Sequence, residues 1–200
     1  MKDIPPGTIA DTGILDRAGA TSRPTAVLLL SSTGFAALMV AAAHLKLFLP
    51  FTPVPVTLQT FVVLLAGLCL GATWGGLSQV QYVMLGLLGV PAFVGGVTAL
   101  AGPSGGYIVG FVVAATVVGW VYSSMRSTAG AILACLAGTG VIYVFGCVWL
   151  MAITGGPLAH VLAVGVVPFL PGDLLKLAAA IAIVRGPFVG GVVRRIFHHS

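Results

Sequence analysis

The chain has 200 residues, a mean hydropathy of +1.14 and only 6% charged residues, against about 25% in an ordinary soluble domain. A soluble globular domain is excluded, and the composition is that of an all-α polytopic membrane protein whose first partner is the lipid bilayer. The net charge of +5 is no nucleic-acid signal, because the basic residues lie scattered near segment ends without aromatics between them.

Residues 1–24 are polar, contain "IPPG" and "SRPT", and read as a mobile tail before the first span. The run 26–43 ends "AAAH" and has some look of a cleaved signal peptide. Its apolar core exceeds the usual ~7–15 residues of such a signal, so it is read as a span. Further spans are predicted at 57–71, 74–92, 105–125, 129–154 and 170–190, six in all. They make a transmembrane domain over 25–192 and leave a basic tail at 193–200. The second and third spans are joined only by "GATWGG".

Lys2, Arg17, Arg23, Arg126, Arg185, Arg194 and Arg195 fall on the side of the termini, and Lys46 and Lys176 on the other. This bias predicts that both termini are cytoplasmic. Cys69, Cys135 and Cys147 lie in apolar runs without metal-ligand spacing, so neither a metal site nor a disulfide is expected. No "GxxxxGK[ST]" occurs, so the chain does not hydrolyse ATP through a P-loop.

Three stretches on the external side carry functional signals. "LKLFLPFTPVPVTLQT" holds prolines 50, 53 and 55, which forbid a helix and favour a stiff extended segment. It is either a connector or a lid formed by Phe51, Thr52, Pro53, Val54 and Pro55. In "VPAFVGGVTALAGPSGGYIVG" the glycines, Gly105 and Gly106 among them, free the backbone to approach a ligand, and the following helix start offers N–H groups to an anion. In "PFLPGDLLKLAAAIAIVRG", Asp173 and Lys176 share one helix face at i, i+3. Each charge costs ~3 kcal/mol at the centre of a membrane helix, which makes the pair a functional candidate. Gln59 and Gln79 are polar residues inside apolar spans. Ala37 and Ala41 form a small-xxx-small pattern in the first span.

"GPSG" at 102–105 also matches the GxSG of rhomboid-like intramembrane serine proteases. That chemistry needs a histidine base. The sixth span has none, and His160 lies near the connection before it.

Taken together, "LPFTPVPVTLQTFVVLLAGLCLG", "YVMLGLLGVPAFVGG", "GPSGGYIVGFVVAA" and "VPFLPGDLLKLAAA" resemble the BioY family, the biotin-capturing substrate subunits of energy-coupling-factor transporters. The resemblance covers most of residues 45–185. It implies a compact bundle of six helices in the bacterial plasma membrane, with a biotin pocket near the external face. It implies that the loop around Phe51–Val56 closes over the ligand and that Asp173 and Lys176 bind it. Gln59, Tyr82 and Tyr107 would add polar or ring contacts, and the "GPSGG" backbone would shape the pocket. The resemblance further implies a transmembrane coupling protein, docked at Ala37 and Ala41, and two cytoplasmic ATPases that hydrolyse ATP. The subunit itself would carry no cofactor and catalyse no reaction. A self-sufficient transporter of another small acid is the alternative outside this family.

Overall fold

A computed structural model describes residues 25–93, 95–187 and 191. Both predicted tails, 1–24 and 193–200, and part of the sixth span's end lie outside the described residues. Six α-helices occur among the described residues: α1 (Thr25–His44), α2 (Gln59–Leu87), α3 (Gly105–Ser124), α4 (Thr128–Thr154), α5 (Leu158–Gly165) and α6 (Leu170–Arg185). A two-stranded antiparallel ribbon, β1 (Lys46–Leu47) and β2 (Val56–Thr57), brackets the proline-rich loop, with Lys46 opposite Thr57. The prolines leave room for nothing longer, since each removes a backbone donor.

Four helices are long and apolar enough to cross a membrane, and α5 with α6, bent by 54°, could supply a fifth as a broken span. The predicted second and third spans correspond to the two arms of the single helix α2. Gly71, at φ 78° and ψ −176°, breaks it, a backbone region that is almost exclusively glycine's. The chain then turns back on itself. A Cβ at Gly75 would lie 3.1 Å from the Ala66 carbonyl and from Gly67 Cα, so the two arms of α2 pack against one another. The reversal takes one residue rather than the predicted six-residue turn, and the second arm ends at Leu87 instead of 92. Among the helices α5 alone was not anticipated. At eight residues it covers only ~12 Å, too short to register as a span.

Small residues set the close approaches between helices. A Cβ at Gly119 would collide with Ala72, and one at Gly138 with Val118. Apolar helices in lipid associate by this kind of packing, because burial from water offers no driving force there. On α1, Ser32, Ala36, Met39 and Ala43 are buried, whereas Ala37 and Ala41 are on the exposed face. α4 begins with the Ser127 side chain accepting from Gly130 N at 3.0 Å and ends on left-handed Gly155, the favoured chemistry at both ends of a helix.

Arg185 donates to the Arg126 carbonyl at 3.4 Å, so the ends of α3 and α6 meet. The other end of the bundle carries the ribbon and the starts of α2, α3 and α6. There the polar residues converge.

Candidate functional site

Asp173 lies in the first turn of α6, just after Pro171 near the helix start. Proline fits that position because its missing N–H would be unpaired anyway, and the helix dipole favours a carboxylate there. Lys176 follows one turn later. Its Nζ lies 2.7 Å from Asp173 Oδ1, and the side chains are 12% and 6% exposed. Burying both charges costs several kcal/mol per ion unless other groups satisfy them. Two residues that the sequence analysis did not single out do so. Thr60 Oγ1, on the first arm of α2, donates to Asp173 Oδ1 at 3.0 Å and accepts from Lys176 Nζ at 3.0 Å. Tyr143 Oη, halfway along α4, donates to Asp173 Oδ2 at 2.6 Å.

A second network runs alongside. Thr57 Oγ1 donates to Gln59 Oε1 at 3.0 Å, Gln59 Nε2 to Tyr82 Oη at 2.7 Å, and Tyr82 Oη to the Ala92 carbonyl at 3.0 Å. It ties the ribbon, both arms of α2 and the loop after them into one wall. Tyr82 is completely buried, with the Phe93 ring edge-on at 5.4 Å. Tyr107 donates to the Gly165 carbonyl at 2.8 Å and so joins α3 to the end of α5.

These groups line a common cavity. Its walls include Gln59, Thr60, Tyr82, Tyr107, Tyr143, Asp173 and Lys176, together with Val54 and Pro55 of the proline-rich loop. The space amounts to about 50 Å³, well below the ~300 Å³ at the lower end of small-molecule pockets. A small organic ligand therefore enters only if part of the wall moves. Exposure varies along the loop. Val54 is buried, and its N–H is held by Thr52 Oγ1 at 3.2 Å, but Phe51 and Pro53 are exposed.

Not every expected residue lines the cavity. Phe51, Thr52 and Pro53 face a separate groove of about 410 Å³ beside His160, Thr154 and Val161. Gly105 and Gly106 are not among the cavity's lining residues either. A Cβ at Gly105 would meet the Leu100 carbonyl, and one at Gly106 would meet Trp149 and the Phe145 carbonyl. The small size of Gly105 admits the Leu100 carbonyl of the segment before α3, and that of Gly106 lets α3 pack closely on α4. Trp149 Nε1 donates to the Gly102 carbonyl at 2.9 Å and closes the same contact. Ser104 does line the cavity, but His160 lines the other groove, and among the described residues no histidine lines the cavity with the serine. The protease-like "GPSG" is a turn.

Thr60 and Tyr143 lie 113 and 30 residues from Asp173. Tyr143 carried a weak signal, as a lone phenol inside an apolar run, because a buried hydroxyl usually finds a partner. Thr60, beside Gln59, carried almost none.

Fold and site together define a multi-pass α-helical membrane protein with a charged pair lining a small cavity. The family model for the BioY family matches residues 18–190. The biotin transporter BioY of Thermotoga maritima is 39% identical over 152 residues, covering 74% of this chain and 88% of that protein. BioY of Rhizobium etli is 32% identical over 169 residues, covering 78% and 90%. The crystal structure of the S-component for biotin from an ECF-type ABC transporter superposes with a TM-score of 0.74 at 26% identity, covering 90% of this chain and 95% of that one. The chain belongs to the BioY family.

Proposed function

We propose that the chain captures biotin in this cavity and acts in its uptake as the substrate-binding subunit of an energy-coupling-factor transporter in a bacterial plasma membrane. The observation that carries the reading is the Asp173–Lys176 pair, lining a cavity in a chain of this family. Biotin's cyclic urea presents N–H donors beside a polarised carbonyl oxygen. A carboxylate only accepts and an ammonium only donates, so the pair complements that head. Asp173 accepts from a ureido N–H, and Lys176 donates to the carbonyl or to the tail carboxylate. Gln59, Tyr82 and Tyr107 shape the wall, and the Phe51–Pro55 segment opens and closes over the ligand.

In this reading the bundle crosses the membrane six times, counting each arm of α2 and α5 with α6 as spans, and both termini are cytoplasmic. The charge bias supports that orientation, since basic residues are retained on the cytoplasmic side. The exposed face of α1 at Ala37 and Ala41 receives the transmembrane coupling protein, because small residues let another helix approach closely. Two cytoplasmic ATPases supply the energy, and the subunit itself holds no cofactor. Mass spectrometry of small molecules released from the detergent-purified chain tests the reading. One biotin per chain is expected; a different organic acid at that stoichiometry would replace biotin as the substrate.

A further inference from the structure

The charged pair has a limited number of open hydrogen-bonding positions, and Thr60 and Tyr143 determine which remain. A carboxylate offers about four lone-pair sites, and an ammonium three protons. Asp173 Oδ1 already accepts from Lys176 and Thr60, and Oδ2 from Tyr143. Lys176 spends one proton on Asp173 and a second on Thr60. What is left is one acceptor position on Oδ2 and one donor on Nζ, and both residues line the cavity.

Three elements hold this arrangement. Asp173 and Lys176 belong to α6, Thr60 to α2 and Tyr143 to α4. Each protein donor fixes the rotation of the carboxylate, so that no orientation has to be found when ligand arrives. From this accounting we infer that Thr60 and Tyr143 are positioning residues that set ligand specificity: they leave the pair able to read one donor beside one acceptor, as in a urea or cyclic amide. The inference rests on the proposed binding of biotin by Asp173 and Lys176.

Tyr143 has a further consequence for the choice of variant. It also lines an apolar groove of about 290 Å³ between α4 and α5, with Val144, Val148 and Leu162. Its ring is thus a wall between that groove and the ligand cavity. Phenylalanine keeps the wall and removes only the hydroxyl. Valine at position 60 likewise keeps threonine's shape without its hydroxyl, and serine returns the hydroxyl.

The test is calorimetric titration of biotin into the purified full chain and its Tyr143→Phe, Thr60→Val, Thr60→Ser and Asp173→Asn variants, plus the Tyr143→Phe/Asp173→Asn double variant. Monodisperse elution and a cooperative melt identify folded samples. Tyr143→Phe and Thr60→Val should each weaken binding about tenfold, the scale of one lost bond to a charged group. Thr60→Ser should stay within about threefold of the parent, because the hydroxyl is what matters. On the Asp173→Asn background, Tyr143→Phe should cost less than about threefold, since it acts through a carboxylate no longer there. If Asp173→Asn weakens binding while Tyr143→Phe and Thr60→Val bind as the parent or more tightly, the positioning role is wrong and the pair's role stands. Full additivity in the double variant would also overturn it. If Asp173→Asn itself binds like the parent, the reading of the pair fails, and this inference with it.

Discussion

Gln59 Nε2 and Tyr82 Oη are 2.7 Å apart, although ~34 Å would separate them along an unbroken helix at 1.5 Å per residue. Their hydrogen bond exists only because α2 folds back at Gly71, and it latches the two arms at the cavity end. Tyr82→Phe removes that bond and leaves the Ala92 carbonyl without its buried donor. The loss should be about 1–3 kcal/mol of stability, the range for an unsatisfied buried polar group. A thermal melt in detergent checks it, and a melting temperature equal to the parent's would show that water replaces the hydroxyl without cost.

Gly71 supplies the reversal by its conformation and not by its size. A Cβ there would meet no atom within 4 Å, so the cost of Gly71→Ala is backbone strain alone, about 1–3 kcal/mol. Gly34, equally open but in regular helix, is the matching control, where alanine should be neutral or slightly stabilising. Equal melting temperatures for the two variants would contradict the assignment of the break to Gly71.

Much of this was legible in the sequence, for identifiable reasons. Long uncharged runs place α1, α3 and α4 within a residue or two. The i, i+3 spacing of Asp173 and Lys176 puts them on one helix face, and prolines 50, 53 and 55 exclude a helix. What stayed hidden was long-range. Nothing local to Thr60 says that its hydroxyl bridges the two charges on α6. Gly105 and Gly106 lie against Leu100 and α4 and are not among the cavity's lining residues; in sequence, a glycine that admits a neighbouring element looks like one that admits a ligand. Hydropathy alone places two spans around 71–76 and cannot show that the reversal is completed at one residue.

The loop's stiffness should appear in its kinetics. Replacing Pro53 and Pro55 together with glycine widens the open ensemble, and closing then costs more entropy. Biotin should dissociate faster while association changes less, as for most affinity changes within one interface. Stopped-flow measurement decides, and a parent-like dissociation rate would make the loop a simple connector.

The exposed face of α1 should separate capture from transport. Ala37→Trp and Ala41→Trp point away from the cavity, so biotin binding by the isolated chain should be unchanged. A bulky ring there prevents close approach of another helix, and ATP-driven uptake by the assembled transporter should fall. Normal uptake at normal expression would remove this face from the docking surface.

The most direct measurement of the central claim is calorimetric titration of biotin into the folded chain and into its Asp173→Asn and Lys176→Ala variants. The parent should bind tightly, one biotin per chain. Asp173→Asn should lose a charge-assisted bond of ~1.5–3 kcal/mol, weakening binding about ten- to a hundredfold. Lys176→Ala should cost at least as much, because it leaves Asp173 buried without its countercharge. Two folded variants that bind biotin as tightly as the parent would contradict the account and reduce the pair to a structural ion pair.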